Sequence, residues 1–377
     1  MSLLVTVLLV LPSLAVSAAA VAAVKRNAER LGLLDKPNHR KVHSVPIPLG
    51  GGLGVWLSLL LVAAAGTAGI LGFGEAAFEA LGLGRLAEHL PGMRERLGLL
   101  WQLIACATVL TFLGLADDRR HIAWYWRIAV EFAVAAYVVF ALKIRLTAFI
   151  PIELLGSLAS VFWIVLLINS FNMLDNMDGL SGGVAAIVCI ALIGMLLGGL
   201  GGDGQPQLFV AWMLAALLGG LLGFLCHNWP PATIFMGDAG SYLVGFWIAV
   251  ATLLTTYTGY RSSTPHAVLA PLCVLAIPLY DTISVIWIRV RSGRSPFEAD
   301  KRHFSHRLVE LGLSKRAAVF TIYAATLTTA LGALLLPRTD WVGACIVLGI
   351  VACVCCLIAM LESLALRRVE DRPGPGA

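Results

Sequence analysis

The chain has 377 residues, of which 59% are hydrophobic and only 13% charged, with a formal net charge of +5. Soluble domains average about 45–50% apolar and about 25% charged, so composition excludes an ordinary soluble globular protein and places the chain among integral membrane proteins. The net charge says little by itself and no nucleic-acid partner is expected; the eight cysteines lie in or at the ends of apolar runs without a Cys-x-x-Cys spacing, so they read as small buried hydrophobes rather than a zinc or redox site.

A membrane-crossing helix needs about 20 mostly apolar residues. Eleven runs qualify, near 3–24, 48–72, 98–116, 122–142, 152–171, 183–201, 207–226, 239–258, 265–288, 316–336 and 341–363. The first is followed by Lys25 and Arg26 and preceded by no cation, the reverse of signal-peptide order despite the small residues 17–20. It reads as a helix whose N-terminus is outside. The positive-inside rule agrees. Lys25, Arg26, Arg30, Lys36, Arg40 and Lys41 fall in the first inside loop, and seven more cations, Arg289 to Lys315, fall in the fifth. The predicted fold is an all-α integral membrane protein, a bundle of about eleven transmembrane helices with the C-terminus cytoplasmic. It forms one domain over 1–365, followed by a cytoplasmic tail, 366–377, expected to be disordered. The outside loop 73–97 is expected to carry a short surface helix.

In chain order, the polar motifs all fall on the inside. Residues 35–43 form a basic first loop. Asp117 and Asp118 end the third helix. Asn172, Asp175 and Asp178 follow at a three-residue spacing near the end of the fifth, which on a helix would place them along one face. Asn228 and the segment Gly237–Ser241 join the seventh and eighth, and residues 295–306 hold His303 and His306. Adjacent carboxylates at a membrane boundary are costly and mark function. A hard divalent cation would neutralise them, and Mg²⁺ typically takes one or two carboxylates plus substrate phosphates. Asp238 opens a helix whose free N–H groups suit a phosphate; a plain N-cap is the alternative. Arg40, Lys41, His43 and Arg302 supply cations for a diphosphate or lipid phosphate. Arg127 and Glu131, spaced i, i+4, read as a self-neutralising pair in one helix. Asp281 either lines the cavity or pairs inside the bundle.

Together these motifs resemble, over about residues 1–325, the polyprenyl-phosphate N-acetylhexosamine-1-phosphate transferases of glycosyltransferase family 4. The first loop, Asp35-x-Pro-Asn-x-x-Lys-x-His43, is most similar to the GlcNAc-type branch. The resemblance implies an eleven-helix enzyme of the bacterial cytoplasmic membrane, dependent on Mg²⁺ with Mn²⁺ as an alternative ion. Its partners would be a UDP-sugar donor, a polyprenyl phosphate acceptor and membrane lipid; homodimerisation stays open. It implies catalytic roles for Asp117, Asp118, Asp175, Asp178, His303 and His306. It implies substrate binding by Arg40, Lys41, His43, Asn172, Asn228 and Arg302, and metal binding by Asp238 and Asp175. Ser305 stands where many members have a further histidine. Which of Asp117 and Asp118 would act as base stays open. The rival reading is a secondary transporter of an anionic solute, whose site would lie near mid-membrane.

Overall fold

The computed structural model describes residues 2–35, 46–73, 84–146, 152–198, 206–255, 264–296 and 303–370. Arg40, Lys41, His43 and Arg302 lie outside the described residues, as does the tail from 371. Backbone polar groups have no water to bond in lipid, so apolar runs must be helical. Among the described residues, each of the eleven predicted runs falls mainly on helix. Helix α1 spans Ser2–Asn27, α2 Gly51–Gly72, α3 Leu90–Arg120 and α4 Trp124–Ala136, which continues as a π turn through Ala141. Then come α5, Glu153–Leu174; α6, Leu180–Leu197; α7, Leu208–Asn228; and α8, Asp238–Leu254. Short α9, Ala270–Val274, is followed by α10, Ala276–Arg291, seven-residue α11, Phe304–Glu310, α12, Lys315–Leu335, and α13, Trp341–Glu370.

Among the described residues, nine helices are long and apolar enough to cross a membrane, and the bent pair Pro265–Val274 and Ala276–Arg291 would make a tenth. That pair corrects the single straight run expected over 265–288: it bends by 64° at the break. A second correction concerns α3, which begins at Leu90, within the segment expected to be an outside loop. Of the surface helix expected there, the described residues hold a four-residue turn, Gly84–Ala87. Cys106, Cys189 and Cys273 are buried as expected; Cys226, Cys345, Cys353 and Cys356 instead face outward.

Helix α8 is the centre of the bundle. Every residue from Ala239 to Thr252 is buried, as befits a helix apolar on all sides. It packs on α5, α3, α2 and α7. The outer helices turn large apolar side chains outward, such as Phe162, Trp287, Val342 and Met360, the surface a lipid environment would cover. At one end of the bundle a two-residue antiparallel ribbon pairs Leu34 with Pro48 and Asp35 with Ile47. The loop before α8 docks on it: Phe235 N–H bonds Pro48 O, and the N–H groups of Gly51 and Gly52 bond Phe235 O and Met236 O, each at 2.9 Å. Thus the start of the most buried helix is fixed at the end where the predicted polar motifs gather.

Candidate active site

Helix α3 ends at Arg120, where His121 turns left-handed (φ 49°) and its N–H closes on Asp117 O at 2.9 Å. The two aspartates at this end have different partners. Asp117 is buried, and both carboxylate oxygens are occupied: Oδ1 accepts the Ile122 N–H at 2.6 Å and Oδ2 accepts Arg127 Nη1 at 2.5 Å. Asp118 reaches across to α8, where Oδ1 accepts the Asp238 N–H at 2.9 Å and Oδ2 the Ala239 N–H at 3.4 Å. The residue preceding α8 is Gly237, with no side chain to cap the helix. Asp118 therefore caps it from another helix, with the charge that the helix N-terminus favours.

This reach depends on a close approach. A Cβ added at Gly114, one turn before Asp118, would lie 2.3 Å from the Asp238 carbonyl carbon. Gly114→Ala must therefore push α3 off the start of α8. We expect a lower melting temperature and at least about tenfold slower turnover, since misplacement of order 1 Å can cost far more than that. A thermal melt and a rate measurement on the purified variant check this.

Arg127 belongs to the site, which corrects the pairing with Glu131 expected from spacing. It bonds Asp117, lies 3.6 Å from Asp238 Oδ2 and donates to Tyr242 Oη at 3.3 Å. Glu131 instead accepts Asn169 Nδ2 of α5 at 2.5 Å. Asn172 donates to Asp238 Oδ1 at 2.7 Å and to Ser241 Oγ at 3.1 Å. The carboxylate of Asp238 is thus held between an amide and a guanidinium.

The acidic group after α5 also departs from expectation. The helix stops at Leu174 and the chain turns, so Asn172, Asp175 and Asp178 do not share one helical face. Gly179, at φ +74°, lets the chain re-enter α6. Asp178 Oδ2 accepts the Ala232 N–H at 3.0 Å. Asn228 clips the same two loops together: its Oδ1 accepts the Gly179 N–H and its Nδ2 donates to Ile234 O, both at 2.8 Å. Its amide joins the two loops, and Asn228 is also a residue of the cavity lining. The recessed position of Asp175, and next the Asp118 carboxylate beside it, push its carboxyl up to about 7.

The five aspartates described above, with Asn228 and Asp35, line one cavity of about 800 Å³, within the range of about 300–1,000 Å³ usual for small-molecule sites. Asp117, Asp118, Asp175, Asp178 and Asp238 form an acidic wall. His121, His306, Lys315 and Arg316 line the cavity as well. His303 is not among the lining residues. It is buried, with Nδ1 3.0 Å from Asp281 Oδ2, so of the two places expected for Asp281 the structure gives pairing inside the bundle. Lys315 and Arg316 escaped the sequence reading, although a signal existed. They sit in the first turn of α12, whose cap is Ser314, where the helix dipole disfavours cations; cations in that place suggest an anionic ligand.

Among the described residues, no three His, Cys, Asp or Glu side chains stand close enough to hold a metal ion by themselves. The donor chemistry nevertheless fits Mg²⁺. The donors are carboxylate oxygens, which hard cations prefer, and Mg²⁺ normally completes its shell with water and substrate phosphates. The Asp175 carboxyl, raised first by burial and then by the Asp118 carboxylate beside it, fits a cluster short of positive charge.

A family model described as glycosyl transferase family 4 matches residues 100–256, which contain all five acids of the wall. The chain is 33% identical over 325 residues to the undecaprenyl-phosphate alpha-N-acetylglucosaminyl 1-phosphate transferase of Escherichia coli K12, covering 82% of this chain and 78% of the relative. It is 28% identical over 329 residues to a probable undecaprenyl-phosphate N-acetylglucosaminyl 1-phosphate transferase of Bacillus subtilis 168, covering 84% and 81%. To the decaprenyl-phosphate N-acetylglucosaminephosphotransferase of Mycobacterium tuberculosis CDC 1551 it is 32% identical over 325 residues, covering 81% and 76%.

Proposed function

Since the chain belongs to glycosyl transferase family 4, we propose that it transfers N-acetylglucosamine 1-phosphate from its UDP-sugar to undecaprenyl phosphate, releasing UMP. The observation that carries this reading is the convergence of acids from three helix ends on one cavity that also holds Lys315, Arg316 and His306. A diphosphate donor and a lipid phosphate both bring negative charge into an acidic site. Cations of the chain meet part of it, and a divalent ion would meet the rest. The site's place at helix ends lets a soluble nucleotide sugar enter from water while the acceptor stays in the bilayer. The protein crosses the membrane many times. Its cavity faces the cytoplasm in this reading, because the predicted inside loops supply its lining, and the membrane is the bacterial inner one.

In the transfer, an oxygen of the lipid phosphate attacks the donor phosphorus that bears the sugar, and the bond from that phosphorus to the UMP oxygen breaks. A phosphate monoester has a second pKa of about 6, so the attacking oxygen is largely deprotonated at neutral pH. The carboxylates then have little proton to remove. Asp117 is held by Arg127, and Asp118 holds the start of α8; their work is to fix Asp238 and Arg127 around the reacting phosphates. Asp238 and Asp175 would hold Mg²⁺, which would supply positive charge where negative charge grows, the usual source of rate in phosphoryl transfer. Lys315, Arg316 and His306 orient the diphosphate. The transporter reading has no support among the relatives, and the acids of the cavity sit at helix ends rather than at mid-depth.

The test is UMP release by the purified protein given UDP-GlcNAc, undecaprenyl phosphate and Mg²⁺. Release should need both substrates, stop with EDTA and return when Mg²⁺ exceeds the chelator. Unchanged release in EDTA would remove the cation from the reading; no release with any UDP-N-acetylhexosamine would remove the reading itself.

A further inference from the structure

Helix α11 has seven residues, too few to be stable alone. It carries His306, which lines the cavity, so whatever holds α11 also aims His306. Buried Phe304 and Leu308 pack it into the core, Ser305 Oγ donates to Oδ1 of the cavity-lining Asn176 at 2.5 Å, and a further set of polar contacts is made to α10 and α13. At the start of the helix, Asp281 of α10 accepts the Phe304 N–H at 2.7 Å and meets His303 Nδ1 at 3.0 Å. One turn on, Arg307 is 1% exposed. Its Nη2 pairs with Glu362 Oε1 at 2.8 Å and donates to Ser284 Oγ of α10 at 2.9 Å. The Tyr280 hydroxyl donates to Glu362 Oε2 at 2.6 Å. Among the described residues Arg307 Nε and Nη1 have no hydrogen-bond partner, and Glu362 Oε1 meets Arg307 as an ion pair rather than an aligned hydrogen bond, so the charge of this guanidinium is balanced through Glu362. Glu362 is itself 5% exposed, and it lies on α13, the last helix, far outside the residues 100–256 matched by the family model.

We propose that Glu362 is a positioning residue for the transfer: acting through Arg307, it locks α11 so that His306 stands against the phosphates in the cavity. The proposal rests on the reading of that cavity as the transferase site. A buried ion pair adds little stability over apolar residues of similar volume. What it adds is direction, because the carboxylate fixes the guanidinium at one place and Tyr280 fixes the carboxylate. The last helix thereby joins the site without lining it.

Three variants test this in the full-length purified protein, each read by UMP release and by melting temperature: Glu362→Leu, Glu362→Gln and the double variant Arg307→Met/Glu362→Leu. Glu362→Leu should lower kcat and kcat/KM together by at least about tenfold, as loss of a contact made in the transition state does. Its melting temperature should also fall. Glu362→Gln keeps one carbonyl oxygen for Arg307 and turns its amide N–H to the Tyr280 hydroxyl, which can accept, so it should regain part of kcat. The double variant removes both charges, so its melting temperature should return towards that of the wild type while kcat stays low. If Glu362→Leu does not fold, the double variant decides alone. Normal kcat in the folded Glu362→Leu protein overturns the proposal, and so does a double variant that recovers both melting temperature and kcat, because the pair would then serve charge balance only. A wild type that releases no UMP removes the premise, and the proposal falls with it.

Discussion

Asp238→Asn is expected to cut UMP release by about 10²–10³-fold, the usual cost of losing one preorganised electrostatic contact to developing charge, while the protein inserts and melts like the wild type. The substitution is nearly isosteric. Its side-chain oxygen can still accept Asn172 Nδ2, now 2.7 Å from Asp238 Oδ1. The start of α8 keeps its cap, since Asp118 bonds the backbone N–H of residue 238 rather than its side chain. What disappears is the negative charge between Asn172 and Arg127, the charge that would bind the cation. Steady-state UMP release at saturating substrates, beside a thermal melt, makes the comparison. Near-normal turnover would show that Asp238 has no part in the chemistry.

Arg127→Met should damage both stability and rate. It leaves the buried carboxylate of Asp117, 5% exposed, without its cation. Breaking a buried pair costs about 3–5 kcal/mol, and the lower end of that range, about 3 kcal/mol, applies because the Arg127 side chain keeps 26% of its exposure. Turnover should fall further than stability alone explains, because Arg127 also faces Asp238 and Tyr242. Arg127→Lys should restore part of the stability and little of the rate. An ammonium is a point charge, whereas the planar guanidinium serves several partners at once. A denaturation series with matched rates would expose the error if Arg127→Met proved as stable and as fast as the wild type.

The fold was legible because the bilayer imposes one rule on every segment. Each run of about 20 apolar residues falls on helix among the described residues, and cation counts place every polar motif on one side. Misreadings came where a local spacing rule met tertiary structure. Arg127 and Glu131 have an ideal i, i+4 spacing, yet a helical side chain leans back towards the N-terminus. Arg127 accordingly reaches the end of α3, and Glu131 meets Asn169 on α5. The three-residue rhythm of Asn172, Asp175 and Asp178 mimics a helix that has already ended at Leu174. The structural partners of Asn228 and His303, which are Gly179, Ile234 and Asp281, lie where no spacing rule reaches them. Spacing cannot say which polar residue faces the cavity and which holds the wall. Asp117 and Asp118 show the same limit, since adjacent residues of one type bind different elements.

The account rests on transfer of the sugar together with its phosphate, and the fate of a single phosphorus atom tests it most directly. UDP-GlcNAc labelled with ³²P at the β-phosphate would be given to the purified protein with undecaprenyl phosphate and Mg²⁺. The account predicts label in the lipid fraction in proportion to the UMP formed, with the UMP itself unlabelled. Label leaving as UDP, or UMP formed with none of the label in lipid, would contradict it.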